Sequence, residues 1–473
     1  MDRQMNKFSR RKLLKGIGFG AGTIALAACA APAAPPAPAA PAAPAAPSAP
    51  EATAAPTAEA TTAEPTTAPA PAGTTEIVHW GFSGGLGKVE EELAKMWNEM
   101  QSEVKVTLQV QGNYEETAQK LTAALAAQQG PDMVLLSDVW WFKFFRAQAL
   151  MPLNDLIKEQ AIDTTDFVES LWNEGVRKDV QYWIPFARST PLFYYNADML
   201  EAAGLPARGP ETWDEMREWA PKLVKKEGDT MKVAAFAHPG AASYVAWLFQ
   251  CVIRQFGGRY SDPDFNILLT EPDSIRAGQF YQDTVNKEGW AIASQDVTKD
   301  FVTGLAATAM LSTGALAGVL RDAQFKVGTA FLPKEKFFNC CTGGSGLSIL
   351  ATTPMDKARA AIKYIDYATG NDGGAFWAQN TGYMPVRKST AAGESYQKFF
   401  EKVPQAKTAV EQLPLTEAQD AARVFIPGGD QIIGKGLERI LIGNEPVEAV
   451  FTEVKAILEK EAEPVKQDIA AMG

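Results

Sequence analysis

Histidine and cysteine are scarce in this 473-residue chain: His79 and His238 are its imidazoles, and Cys29, Cys251, Cys340 and Cys341 its thiols. Two imidazoles leave little material for a histidine-rich metal site or a proton relay, and thiols without histidine company make a poor zinc set. Positive charge is short as well. The 45 Lys and Arg face 56 Asp and Glu, a net charge of −11, and residues 76–473 alone carry −13. A surface that acidic repels phosphate backbones and anionic headgroups, which argues against nucleic acid as a partner. The pattern His-Glu-x-x-His is absent. Gly81-Phe82-Ser83-Gly84-Gly85-Leu86-Gly87-Lys88 follows a strand and opens a helix as a phosphate loop does. It lacks the Walker spacing, however, and Val89 stands where a hydroxyl must meet magnesium. It reads instead as a flexible, ligand-facing turn. No cofactor, metal or catalytic residue is expected. A carboxylate pair of the glycosidase kind is not legible from linear spacing.

What is present begins with an address. Ser9-Arg10-Arg11-Lys12-Leu13-Leu14-Lys15 precedes an uncharged run from Gly16 to Ala28, the layout of an export signal over residues 1–28. Thirteen weakly apolar residues fall short of the about 20 that a membrane-spanning helix needs. The paired arginines resemble a twin-arginine signal, and Leu26-Ala27-Ala28-Cys29 resembles the lipobox of bacterial lipoproteins, in which the cysteine is acylated. Residues 29–75 hold twelve of the thirty prolines, among Ala and Thr. At roughly 3 Å per residue this tether reaches on the order of 100 Å. The expected location is the outer face of the cytoplasmic membrane, in the cell envelope or periplasm, held by a lipid at Cys29. Of the later thiols, a bridge from Cys251 to Cys340 or Cys341 stays open.

The remainder alternates. Strands are expected at Glu76–Phe82, Val104–Val110, Asp132–Ser137, Pro191–Asn196, Val233–Ala237, Ala307–Leu311, Val327–Leu332 and Gly346–Leu350. Helices are expected at Lys88–Met100, Tyr114–Gln129, Asp138–Gln148, Thr212–Lys226, Ser243–Phe256, Glu271–Val285, Met355–Ala368 and Gly373–Asn380, and from Thr390 onward, including Pro446–Lys460. Asn196 and Thr212 precede helices as caps, Thr212 with Glu215 as a capping box. The alternation implies an α/β protein with mostly parallel sheets.

Five segments, in order, resemble the extracellular solute-binding proteins of ABC importers that take sugars and related polyols. They are Gly130-Pro131-Asp132-Met133-Val134 through Ala149–Asp155, Ile184–Asn196, Ala203-Gly204-Leu205-Pro206 to Glu215, Gly343–Ile349, and Thr381-Gly382-Tyr383-Met384-Pro385-Val386. Within that family, Gly112-Asn113-Tyr114-Glu115, Ser312–Leu316 and Thr381-Gly382-Tyr383 are most similar to the glycerol-3-phosphate-binding branch. The resemblance implies the two-lobed periplasmic-binding-protein type II fold, with hinge crossovers and a ligand cleft between the lobes. It puts 76–190 and 344–382 in the N-terminal lobe, and 191–343 and 383–473 in the C-terminal lobe. It further implies a membrane permease with its ATPase as partner, and capture of a sugar or polyol without chemistry.

The resemblance also designates ligand contacts: Tyr114, Asp138, Ser189, Thr313 or Ala315, the Gly344 backbone, and Tyr383. Tyr244 and Trp247 lie near where an aromatic wall is expected; Trp140 and Trp141, directly after Asp138, offer a further stacking face, and one of the two must turn inward. Planar polar groups match paired hydroxyls and ring faces stack on C–H faces. Plainer roles stay open: Asp138 as a helix cap, Trp247 as core, Tyr114 as a surface staple. The branch has an arginine after Gln-Ile late in the chain; here Gln431-Ile432 is followed by Ile433. A buried phosphate without a fixed cation is unfavourable, so an uncharged ligand is expected, with glycerol-3-phosphate or a phosphodiester as the alternative and Arg188 or Arg423 as the other charge sources. Ferric-ion binding through Tyr194-Tyr195 is disfavoured because strand alternation turns the two side chains apart. A carbohydrate-active enzyme is the remaining alternative.

Overall fold

The computed structural model describes residues 73–240 and 244–471. The export signal, Cys29 and the tether up to residue 72 lie outside them. The first stretch runs β1 (Thr75–Gly81), α1 (Gly84–Met100), β2 (Val104–Val110), α2 (Tyr114–Ala127), β3 (Met133–Ser137), α3 (Trp141–Arg146) and β4 (Ile184–Ser189). Next come β5 (Pro191–Asn196), α4 (Trp213–Leu223), β6 (Thr230–Pro239), α5 (Val245–Gln255), α6 (Pro272–Asn286), β7 (Ala291–Ser294), β8 (Ala306–Ser312) and β9 (Val327–Ala330). The chain closes with β10 (Gly343–Ile349), α7 (Met355–Thr369), α8 (Gly373–Thr381), α9 (Ala421–Val424), α10 (Gly429–Leu441) and α11 (Val447–Ala471), with shorter elements between.

Two sheets organise these elements. The first has the order β2-β1-β3-β10-β4, the second β7-β6-β8-β5-β9, with the short strand Lys225–Glu227 beside β6. In each, parallel strands occupy one side and antiparallel pairs the other: β10 runs against both β3 and β4, and β5 against β8 and β9. The antiparallel strands are those that arrive from the other sheet. This is the α/β architecture expected from the alternation, in the two-lobed form that the family resemblance implies. β3 (MVLLS) is buried throughout, as suits a strand covered on both faces.

One residue separates the sheets. Ser189 ends β4 in the first sheet and Pro191 begins β5 in the second, so the chain crosses at Thr190. Thr190 is fully buried. Its carbonyl accepts from the Thr313 N–H at 3.1 Å, and its hydroxyl accepts from Gln412 Nε2 at 3.0 Å. Gln412 Nε2 also donates to the Pro191 carbonyl at 2.8 Å. A second passage runs through Cys340–Cys341, paired with Thr416–Glu417, into β10. Beyond Tyr383 the chain stays on the first sheet: the Met384 N–H donates to the Arg188 carbonyl at 2.8 Å, and the Val168 N–H to the Val386 carbonyl at 3.0 Å.

Some local expectations need correction. Helix α1 begins at Gly84, so the glycines read as a flexible turn form its first turn. A Cβ at Gly81 would lie 2.2 Å from Glu90 Oε2; that room lets Glu90 accept from the Phe82 N–H at 2.7 Å and meet His79 Nε2 at 2.7 Å. Asp138 does not cap a helix, since α3 starts three residues later with Trp140 at its N-cap. Thr212 caps α4 through the Glu215 N–H at 3.0 Å, but Glu215 reaches back to the Glu211 N–H rather than to Thr212. Asn196 caps its helix through the Met199 N–H at 3.0 Å, as expected. Strand β7 was not legible as a separate strand.

Candidate functional site

The ends of β3 and β10, the start of α2 and the segment after α8 converge beside the crossover. Asn113 and Glu116 form a complete capping box, which places Tyr114 at the first helical position. The Tyr114 hydroxyl donates to Ser345 Oγ at 3.1 Å. Its ring lies 5.6 Å from that of Phe82, which stacks on Trp377 at 5.7 Å and 15°. Trp377 in turn stacks on Tyr383 at 5.7 Å and 17°. From the second lobe, Gly314 lies against the far face of Tyr383: a Cβ there would come within 2.7 Å of the ring. Burial pushes the Tyr383 phenol up to about 12, and burial, followed by the Tyr383 hydroxyl, pushes Tyr114 up. Both therefore remain protonated donors at neutral pH.

Asp138 sits in the turn after β3, its N–H donating to the Gly344 carbonyl at 2.9 Å. Gly344 has φ +110, and a Cβ would lie 2.1 Å from the Ala187 carbonyl oxygen, so a side chain is excluded. Asp138 Oδ2 accepts from Gln419 Nε2 at 2.6 Å, and Arg423 Nη1 stands 3.8 Å away. Gln419 and Arg423 belong to the second lobe, where α9 packs on α10. Arg423 is buried and has Asp430 Oδ1 at 2.7 Å from its Nε. Burial works against its charge, but Asp430 and Asp138 hold its pKa above the ordinary value. On the first lobe Arg188 is fully buried, ion-paired with Glu174 and 5.0 Å over the Trp183 ring. Its Nε and Nη1 have no protein partner. Glu174 also accepts from the Thr342 hydroxyl at 2.7 Å, and burial raises its pKa.

The other designated residues fall nearby or in the hinge. Ser189 is buried in register with Gly343. Thr313 is buried at the crossover, its hydroxyl 3.4 Å from the Thr190 N–H. Trp247 is buried, donates from Nε1 to the Thr342 carbonyl at 2.9 Å, and leaves no room for a Cβ on Gly343. Tyr244, half-buried, meets its edge at 5.7 Å. Trp140 is half-buried with Lys143 Nζ 5.5 Å over its ring, while Trp141 is the inward one, stacked 6.0 Å from Trp183. Ser345, Gln419 and Glu174 were not anticipated. Ser345 carried a signal in the Gly343–Ile349 segment; Gln419 and Glu174 carried none, being brought in by chain folding alone.

Gly81-Phe82-Ser83-Gly84-Gly85 also spells the G-x-S-x-G of a nucleophile elbow. Such an elbow needs an imidazole at the serine. His79 is buried on Glu90 and His238 lies 2.8 Å from the Thr284 hydroxyl; among the described residues neither bonds to Ser83. Tyr194 and Tyr195 diverge as strand alternation requires, one hydroxyl on the Ser312 carbonyl and the other on that of Ala207.

Two sheets joined by a one-residue crossover, with buried polar and aromatic groups facing each other beside it, define a two-lobed binding protein. The sequence model of the bacterial extracellular solute-binding proteins matches residues 92–408, and the chain belongs to that family. Among its relatives is the sn-glycerol-3-phosphate-binding periplasmic protein UgpB of Escherichia coli K12, 26% identical over 412 residues, covering 80% of this chain and 91% of that one. The crystal structure of UgpB from Mycobacterium tuberculosis in complex with glycerophosphocholine is similar at a TM-score of 0.79 and 39% identity, covering 83% of this chain and 99% of that one. The cyclic alpha-maltosyl-1,6-maltose binding protein of Arthrobacter globiformis shares the fold at a TM-score of 0.70 and 21% identity, over 82% of this chain and 99% of that one. The protein is a solute-binding component of an ABC importer that works outside the cytoplasm with a membrane permease.

Proposed function

We propose that the protein captures a polyol phosphodiester, of the glycerophosphodiester class, between its lobes. The observation that carries this reading is the buried Arg423 guanidinium beside Asp138. The chain has Ile433 rather than an arginine after Gln431-Ile432, yet a fixed cation, Arg423, ten positions earlier, stands beside Asp138. A buried guanidinium matches a phosphodiester's oxygens through charge-assisted hydrogen bonds, and Arg188 supplies further unmatched N–H groups. Asp138, Ser345 and the phenols of Tyr114 and Tyr383 suit the hydroxyls of a polyol. The ligand named for the M. tuberculosis relative, glycerophosphocholine, is a glycerophosphodiester, and that named for the E. coli relative, sn-glycerol-3-phosphate, is a phosphomonoester of the same polyol. Ser189, Thr313 and Gly344 set the cleft's floor and hinge, and Tyr244, Trp247 and Trp140 its aromatic flank.

The ligand is held and released unchanged, with no enzymatic step. We take the N-terminal lobe as residues 76–190 and 344–392 and the C-terminal lobe as 191–343 and 393–473, the extension past 382 resting on the contacts of Met384 with Arg188 and of Val386 with Val168. Export uses residues 1–28, and acylation of Cys29 anchors the body through the tether.

Calorimetric titration of the mature protein with glycerophosphocholine, glycerol-3-phosphate and maltose tests the ligand. The phosphodiester is expected to bind, and Arg423→Gln to weaken it by at least roughly thirtyfold, as removal of one partner from a buried charge contact does. Binding of maltose alone would select the neutral-sugar reading.

A further inference from the structure

The three thiols of the folded part gather at the second passage between the lobes, and all are fully buried. Cys251 Sγ on α5 lies 3.4 Å from Cys341 Sγ. Cys340 also neighbours Cys251, but its Sγ is engaged at the crossover, 2.7 Å from the Thr190 hydroxyl and 3.1 Å from Gln412 Nε2. Successive residues of an extended pair point to opposite sides, so adjacent Cys340 and Cys341 present their sulfurs in different directions. The cluster holds no histidine or carboxylate set, and no metal-ligand group occurs among the described residues. What remains is a pair of sulfurs poised at contact distance in a protein that works in an oxidising compartment.

We propose that Cys251 and Cys341 form a disulfide in the exported protein, with Cys340 left as a thiol. The reaction is thiol–disulfide exchange with a disulfide-bearing oxidant of the extracytoplasmic space. The Cys251 thiolate attacks one sulfur of the oxidant and releases its other sulfur as a thiol. The Cys341 thiolate then attacks Cys251 Sγ in the mixed disulfide and expels the second thiol. Two protein thiols become one S–S bond, and their two electrons and two protons end on the oxidant. Burial raises both thiol pKa values well above the usual range, so exchange takes place while α5 is open over Cys341 rather than in the closed fold. The sulfurs must approach from contact to about 2 Å, a side-chain adjustment.

The bond has a consequence for the cleft. Cys341 immediately precedes Thr342-Gly343-Gly344, and α5 carries Trp247, which donates to Thr342 and packs on Gly343. The cross-link therefore fastens the segment entering the cleft to the helix that backs it. This holds whichever solute the cleft takes, and rests only on export.

The full-length protein, collected from the cell envelope, is unfolded without reductant, alkylated and mapped by peptide mass spectrometry. The expected result is a Cys251 peptide joined to a Cys341 peptide, two hydrogens lighter than their sum, with Cys340 alkylated. Reductant should separate the pair. Cys340→Ser should keep the bond and Cys251→Ser should abolish it with no substitute. Alkylated Cys251 and Cys341 in the wild type, or Cys340 in the bond, would overturn the proposal.

Discussion

His238 shows how completely a side chain can be removed from solution chemistry. It lies between Phe236 and Tyr281, 4.8 and 4.4 Å away, with Nε2 2.8 Å from the Thr284 hydroxyl. Burial lowers its pKa from 6.5 to about 3. Above pH 6.5 the imidazole is neutral whether the chain is folded or not, so it leaves stability untouched. Below that value the unfolded chain takes a proton that the folded chain refuses until pH about 3. The unfolded state then binds more protons, and stability falls as pH drops through this window. His238→Gln keeps a hydrogen-bonding group at the position and cannot titrate. Between pH 7 and pH 4, wild type should lose on the order of 3 kcal/mol more stability than this variant, about 1.4 kcal/mol for each pH unit below 6.5. Urea midpoints at both pH values measure it; parallel losses would show that His238 ionises without penalty.

At the scale of elements, β10 does most to build the site. It lies between β3 and β4, with an irregularity between Ser345 and Gly346. It delivers Ser345 to Tyr114 and the Gly344 carbonyl to Asp138. Gly344→Ala combines a left-handed φ with a Cβ 2.1 Å from the Ala187 carbonyl. Backbone strain of that kind costs roughly 1–3 kcal/mol, and the clash adds to it. The urea midpoint should fall accordingly, and ligand affinity should fall with it because Ser345 moves; an unchanged midpoint would mean the strand yields without cost. Much of this scale was legible in the sequence. Val104–Val110 alternates, and Asn196 and Thr212 sit where caps belong, because strand period and cap chemistry are local properties. The failures have long-range causes. Gly84 to Gly87 join a helix despite poor propensity, since the strand and Glu90 hold it there. Arg423 meets Asp138 across 285 positions of chain, which no linear spacing announces.

For the whole molecule, the contacts that bridge the lobes outside the polar site matter most. Phe142 of α3 meets Phe425, which follows α9, at 4.7 Å, and the Arg177 guanidinium lies 4.5 Å from the Phe425 ring and 4.7 Å from that of Trp141. Arg146 pairs with Asp468 of α11 further along the same rim. None of these side chains belongs to the designated ligand contacts, yet each favours apposition of the lobes. A ligand shifts the equilibrium between open and closed forms only by its differential affinity, and its apparent affinity scales with the fraction already competent. Phe425→Ala removes an aromatic pair and a cation–π contact, together worth at least roughly fivefold in that fraction. The unliganded variant should therefore show a larger radius of gyration by X-ray scattering. Every ligand that binds should lose the same factor, while the liganded envelope stays that of wild type. That uniformity separates the rim from the cleft, where Arg423→Gln discriminates by ligand charge. A Phe425→Ala protein with wild-type dimensions and affinities would place the whole free energy of closure on the solute.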